Sequence, residues 1–158
     1  MGKEPVTPAI RHLRSEGVDY EGFVFDYKRF PGASGAADAL GVDLHATVKT
    51  IVLRTDEGNG VIVLMNGDQE VSTKKLAREL SVKSTEPADQ REARRWTGYE
   101  FGGTSPFGTR QQLPLLAHSD IPQLNEIYIN AGSRGFLVRI RTEELLRVLE
   151  PRIEDLAV

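Results

Sequence analysis

Residues 98–108 (GYEFGGTSPFG) hold four glycines, one proline and two small hydroxyl residues within eleven positions. Such a run disfavours a helix or a central strand. It predicts a loop whose main-chain amides a ligand can approach closely. The run lacks the Gly-Lys-Ser/Thr ending of a P-loop and the spacing of a dinucleotide fingerprint. Lys49 stands before the apolar run Ile51-Val52-Leu53. Strand alternation puts Lys49 and Ile51 on one face and Thr50 and Val52 on the other. That places the ammonium at the end of a core beside a cleft, where it could hold a phosphate or carbonyl oxygen. A strand-edge lysine that blocks aggregation has the same pattern. A second turn, residues 130–135 (NAGSRG), reads as a hairpin connection and gains meaning only if it converges on the first loop.

Other chemistries find little support. With no cysteine, disulfides, thiolate metal sites and cysteine nucleophiles drop out. His12, His45 and His118 are far apart and lack metal-ligand spacing, so neither a metal nor a cofactor is expected. His12 falls on a first helix and reads as a surface residue. No Gly-x-Ser-x-Gly elbow occurs, and Ser105 has no assignable base. The net charge of −3 gives no global basic field toward nucleic acid. Basic residues do recur at 74, 75, 78 and 83 and at 91, 94, 95 and 110. Solvated helix faces are the ordinary reading, and a patch on RNA backbone near a pocket is the alternative.

These residues need a frame. The 158 residues, 39% hydrophobic and 27% charged, suit one soluble domain spanning residues 1–158. No apolar run reaches the roughly 20 residues of a membrane span, and the opening MGKEP has no apolar segment behind it, so a cytoplasmic protein is expected. Thr7-Pro8 reads as a helix start and Gly17 as its stop. Residues 20–27 read as a strand. Pro31 to Gly35 reads as a break before a short helix, 36–40. Residues 48–54 and 61–65 form a predicted hairpin. Ser72 caps a helix carrying Leu76, Ala77 and Leu80. Pro87 opens another helix, ended by Gly98. Short strands follow at 113–117, 127–129 and 136–140, and Thr142 caps a last helix stopped by Pro151. Helices and strands alternate without a steady rhythm, which predicts an α+β domain with a mixed, strongly curved sheet.

Taken together, the segments resemble the YbaK/prolyl-tRNA synthetase-associated editing domain family. The likeness rests on Thr7-Pro8-Ala9, on Val48-Lys49-Thr50-Ile51-Val52-Leu53, on Thr97-Gly98-Tyr99, on Gly102-Gly103-Thr104-Ser105-Pro106-Phe107-Gly108, on Ile127 through Gly132, and on Arg134-Gly135. It implies a curved, nearly barrel-like mixed sheet wrapped by helices. It implies hydrolysis of the ester joining a wrong amino acid to the 3′ end of a tRNA, most often tRNA(Pro) carrying alanine or cysteine. A nonhydrolytic module for tRNA ends or nucleotides is the alternative. The partners implied are the 3′ aminoacyl-adenosine end of a mischarged tRNA and, for some members, prolyl-tRNA synthetase, with no membrane and no DNA. Lys49 matches the lysine required for activity. Phe25, Thr50, Gly102, Gly103, Thr104, Ser105, Pro106, Gly108, Asn130 and Gly132 are the implied substrate-binding residues. Asn130-Ala131 stand where the cysteine-editing branch has Ser-Gly, and Leu137 where it has an acidic residue, which leans toward alanine editing. No nucleophile is needed, because an aminoacyl ester is already activated. Positioned water and main-chain donors near Gly102-Gly103 would suffice, with Ser105 a positioning group.

Overall fold

The computed structural model describes residues 2–158; Met1 lies outside the described residues. Helix α1 (Pro8–Ser15) begins as the sequence predicts: the Thr7 hydroxyl accepts from the Ile10 N–H at 3.1 Å, and Pro8 occupies the first helical position. Strand β1 (Glu21–Val24) follows. Helix α2 spans Gly32–Leu40, so the predicted break at 32–35 is helical. The Gly35 N–H bonds to the Pro31 carbonyl, and the missing Cβ of Gly35 lets this first turn lie against the backbone of Phe30. Packing of Ala36 against Phe25 and Leu137 overrides the poor helix propensity.

Strands β2 (Thr47–Thr55) and β3 (Gly60–Asn66) form the predicted hairpin. Ser72 caps α3 (Thr73–Leu80). Pro87 does not open a helix; it ends β4 (Thr85–Pro87). Helix α4 (Gln90–Thr97) starts instead from a capping box, Asp89 with Glu92, and Gly98 ends it. After the glycine-rich run come β5 (Leu115–His118), β6 (Glu126–Ser133) and β7 (Phe136–Arg141). Helix α5 (Thr142–Leu149) follows β7 directly, so Arg141 holds the cap position and Thr142 is the first helical residue, its hydroxyl buried and without a partner among the described residues. Strand β8 (Arg152–Glu154), unforeseen in the sequence, closes the set. Among the described residues, no helix is long and apolar enough to cross a membrane.

The strand order is β1-β7-β6-β2-β3-β5-β8, mixed parallel and antiparallel, with β4 on β2. The sheet curves around one large core. Val48 and Val52 of β2, Ile62 and Leu64 of β3, Ile127 and Ile129 of β6 and Val138 of β7 all join it, and α1, α4 and α5 cover it. Its convex face carries a smaller core in which Ile51, Leu53 and Val63 meet Leu76 of α3 and Leu156 of the C-terminal tail. The expected alternation along β2 is observed: odd positions pack on one face and even positions on the other.

Strand β2 organises the site. One edge pairs with β3 along its length. The other edge is shared by two partners of opposite direction. Strand β6 pairs in parallel with Thr47 and Val48, and β4 pairs antiparallel with Leu53–Thr55. Between them the sheet splits.

Candidate functional site

A cavity of about 410 Å³ sits in that split. Its floor is the open edge of β2, residues 47–52. Phe25, Ala33 and Ala36 form one wall, Pro87 and Ala88 another, and Phe101, Gly102 and Thr104 of the glycine-rich loop a third. The Ala88 N–H bonds to the Val52 carbonyl at 3.0 Å. That bond fixes the parity of β2: even residues direct their main-chain groups toward the split. The ladder to β6 ends at Val48 and the ladder to β4 begins at Leu53. The N–H and C=O of Thr50 therefore face the cavity with no strand partner. The Thr50 hydroxyl has no partner among the described residues either, but it is turned into the core and has no surface open to the cavity. Two main-chain groups of one residue left without a strand partner at an apolar-walled cleft are a binding site in waiting, because an unmade buried hydrogen bond costs roughly 1–3 kcal/mol.

The glycine-rich loop has no regular secondary structure, yet it is held at many points. The Gly103 N–H bonds to the Glu100 carbonyl at 2.9 Å, and the Thr104 hydroxyl donates to the same carbonyl. Ser105 is fully buried, and its hydroxyl accepts from the Phe107 N–H at 3.2 Å. The Tyr99 hydroxyl donates to the Phe107 carbonyl at 2.6 Å. Burial pushes this phenol up to about 12, so it stays a neutral donor. The loop's far end is pinned by His12, whose Nδ1 accepts from the Gly108 N–H at 2.8 Å while the ring packs edge-on against Phe107. The sequence suggests a surface role for His12; it is a half-buried anchor, because α1 lies under the loop.

The two glycine-containing segments do converge. A Cβ on Gly103 would lie 2.8 Å from the Arg134 nitrogen, so only glycine permits this approach. Asn130 ties the segments together. Its Nδ2 donates to the carbonyls of Gly102 (3.1 Å) and Ser133 (3.0 Å), and its Oδ1 accepts from the N–H groups of Gly132 (2.7 Å) and Ser133 (3.2 Å). Asn130 thus holds the β-bulge of β6 with both ends of its amide and reaches the loop with the nitrogen end. Arg134 adds a bond from its Nε to the Phe101 carbonyl at 2.8 Å and lies over the Tyr27 ring. Gly102, at φ +84°, leaves room that a Cβ would take from the Tyr27 hydroxyl.

Lys49 lies on the floor, one residue before Thr50. Its alternation turns the side chain to the convex face, where Nζ donates to the Gln69 carbonyl and lies 3.3 Å from Glu70. The ammonium is therefore held at the end of the small core and is one-fifth exposed. No group of three or more histidine or acidic side chains is arranged for a metal among the described residues.

Of the sequence-derived candidates, Phe25, Lys49, Thr50, Gly102, Thr104 and Asn130 line the cavity. Gly103, Ser105, Pro106, Gly108 and Gly132 do not. They lie behind the wall, where their main chains make the contacts that shape it. The Gly103 amide, spent on Glu100, is withdrawn as a free donor; the Gly102 amide has no partner within the described residues. Tyr27, Ala33, Ala36, Pro87, Ala88 and Phe101 line the cavity without having been singled out. Phe101, 41% exposed at the rim, is a large apolar residue inside a glycine-rich run, and that was the available signal.

The family described as aminoacyl-tRNA editing domain matches residues 31–148. A protein of Enterococcus faecalis, provisionally named as the Cys-tRNA(Pro)/Cys-tRNA(Cys) deacylase EbsC, is 27% identical over 95% of this chain and 92% of its own length. A proline–tRNA ligase of Ligilactobacillus salivarius is 32% identical over 63% of this chain, a match covering 17% of the ligase. Among solved structures, one described provisionally as a trans-editing enzyme for prolyl tRNA synthetase superposes with a TM-score of 0.84 at 24% identity, covering 98% of this chain and 99% of that one. Another, the hypothetical protein APE2540, superposes with a TM-score of 0.87 at 19% identity, and both share the fold. With its split sheet, its clamped glycine-rich loop and a family match over most of its length, the chain belongs to the aminoacyl-tRNA editing domain family, that of YbaK and the editing domains associated with prolyl-tRNA synthetase.

Proposed function

We propose that this protein is an aminoacyl-tRNA deacylase acting in trans on tRNA(Pro) that carries a small non-cognate amino acid, alanine or cysteine. The observation that carries the reading is the N–H and C=O of Thr50, left without a strand partner in a cavity of about 410 Å³ that Gly102 also lines. In the reaction, water adds to the ester carbonyl carbon and an oxyanion forms. The bond from that carbon to the ribose oxygen then breaks, the ribose oxygen takes up a proton, and the free amino acid leaves. The Thr50 and Gly102 amides are the donors for the oxyanion, each worth a few kcal/mol if aligned. The neighbouring ribose hydroxyl carries the proton. Lys49 swings from the Gln69 carbonyl to the terminal adenosine or its phosphate and acts as a charge, not as a base. Ser105, buried and accepting from Phe107, supports the loop.

Selectivity follows from the walls. Ala33, Ala36 and Leu137 are apolar, and nothing in the lining offers a carboxylate to a thiol or an amine. This favours alanine over cysteine. Size alone separates amino acids by roughly 1–3 kcal/mol per methylene, so exclusion of proline also draws on the shape set by Phe25 and Phe101.

A panel of Ala-, Cys- and Ser-tRNA(Pro), with Pro-tRNA(Pro) as control, tests the reading. Release of alanine fastest and of proline slowest is the expected order. Lys49→Ala is expected to abolish turnover with the fold intact, and full activity in that variant refutes the role of Lys49. Binding of every member without turnover would convert the protein into a module for tRNA ends.

A further inference from the structure

Helix α4 connects two walls of the cavity, Pro87-Ala88 before it and the glycine-rich loop after it. Its eight residues rise about 12 Å. Arg91, Arg94 and Arg95 share one helix face by their spacing, and Arg110 joins them at the helix end, where its N–H bonds to the Thr97 carbonyl and its guanidinium lies over Gly98. The four arginines line one surface depression together with Gln90. None of them pairs with an acidic side chain among the described residues; Arg11, Arg14, Arg29 and Arg78 do not either, but only Arg91, Arg94, Arg95 and Arg110 line one depression together, and Arg54, Arg134, Arg139, Arg141, Arg147 and Arg152 all have acidic partners. The one acidic residue of α4, Glu92, is turned away to Arg54 at 3.5 Å.

Helix stability does not account for this cluster. Arg94 and Arg95 complement the helix dipole in the last turn, but Arg91 opposes it in the first. Arg91 and Arg95, four residues apart, also repel each other. A concentration of unpaired guanidinium groups in a chain of net charge −3 calls for an anionic ligand. Planar guanidinium forks suit phosphate, and the rise of about 6 Å from Arg91 to Arg95 covers one or two phosphates of a strand spaced at roughly 3.4 Å along the axis.

Resting on the deacylase reading above, we propose that the outer face of α4 with Arg110 is the docking surface for the phosphate backbone of the tRNA acceptor stem. The 3′ end enters the cavity from there. Four charge contacts contribute a salt slope of about 3–4 to binding, with no readout of base sequence.

The test uses a fluorescent, uncharged acceptor-stem hairpin with a single-stranded 3′ end, titrated with the full-length protein between 50 and 200 mM salt. Replacing Arg91, Arg94, Arg95 and Arg110 together by Gln is expected to lower the slope of log Kd against log salt by about 3 and to weaken binding 10- to 100-fold at the low end. Replacing all four by Lys restores most of the slope. A matched variant, Arg11→Gln, Lys74→Gln, Arg78→Gln and Lys83→Gln, removes the same charge from exposed sites elsewhere and stays near wild type. Three results overturn the proposal: no binding of the hairpin by wild type, an unchanged slope in the α4 variant, or an equal loss in the matched variant. Deacylation is measured in parallel on Ala-tRNA(Pro) and on alanyl-adenosine. The α4 variant is expected to lose activity only on the tRNA. Absence of turnover by wild type on both substrates, with the slope change intact, sinks the deacylase reading and leaves the docking surface standing.

Discussion

Asn130 is the residue through which the loop and the sheet can be uncoupled. Its amide makes four hydrogen bonds, two as donor and two as acceptor. Its orientation is fixed by that pattern: the oxygen meets two N–H groups and the nitrogen meets two carbonyls. Asn130→Ala deletes all four. At roughly 0.5–1.5 kcal/mol net for each, and with the site half-buried, the loss is about 3 kcal/mol. For a domain of this size that lowers Tm by roughly 6–12 °C. Asn130→Asp separates the two functions of the side chain. A carboxylate still accepts from Gly132 and Ser133, so the bulge of β6 keeps two of its three bonds to this side chain. It cannot donate to the carbonyls of Gly102 or Ser133, and its charge faces both.

The expected result for Asn130→Asp is therefore a smaller drop in Tm than for Asn130→Ala, with a loss of deacylation comparable to it. Release of Gly102 is worth about one hydrogen bond, or about tenfold in kcat/KM at ~1.4 kcal/mol. Thermal melts and single-turnover deacylation of Ala-tRNA(Pro) measure both quantities. A Tm for Asn130→Ala within 2 °C of wild type, or full activity in Asn130→Asp, refutes the clamp.

Three further outcomes follow from the same geometry. Gly103→Ala forces a Cβ against the backbone of Ser133 and Arg134 at 2.8–3.0 Å; it is expected to cost about 1–3 kcal/mol and most of the activity, and a melt matching wild type contradicts the convergence of the two segments. Thr142→Val replaces a buried hydroxyl, without a partner among the described residues, with a methyl group; it is expected to raise stability by about 1 kcal/mol, and a lowered midpoint in urea means that the hydroxyl has a partner. Tyr99, whose phenol is pushed up to about 12 by burial from an ordinary 10, contributes stability that is complete below pH 10 and lost as pH rises toward 12, because the unfolded chain deprotonates first. The loss is at most about 3 kcal/mol, and Tyr99→Phe is expected to flatten that alkaline limb of the urea midpoint. An unchanged limb in the variant refutes it.

Much of this arrangement is legible in the residues because local chemistry wrote it. Thr7-Pro8, Ser72 and Gly98 punctuate helices by capping and by φ, and the structure keeps those boundaries. The hairpin of β2 and β3 follows from two apolar runs about a turn. The errors arise where tertiary packing outweighs local preference. Gly32–Gly35 became helix because Ala36 has a pocket to fill. Pro87 became the end of a strand because β2 has an edge to cover, and Asp89 with Glu92 carried the stronger start signal two residues later. At the site, sequence spacing identifies which segments matter but not which atoms face the cavity. Ser105 and Gly103 belong to the same motif as Gly102, yet only Gly102 and Thr104 reach the opening, because the loop turns back on Glu100 and buries the rest. His12 and Asn130 act through partners 96 and 28 residues away, beyond any local pattern.

The split in the sheet connects fold to chemistry. A strand flanked on one edge by a parallel and an antiparallel partner cannot satisfy the residues between them, because the two ladders run in opposite senses and diverge. In β2 that interval is short, and Thr50 stands in its middle with its main chain turned outward. Stability alone would favour extending either ladder by two residues. Asn130 prevents this on one side by bulging β6 away just where it would reach Thr50, and on the other the chain leaves the β2 edge after Ala88, where Asp89 caps α4. Asn130 and Ala88 both line the cavity. The unpaired edge is thus kept open by specific side chains rather than left over, and its donors are fixed before any ligand arrives. Under the proposed reaction, such fixed donors need no reorganisation as the oxyanion forms, which is the condition under which main-chain amides stabilise a transition state more than a substrate.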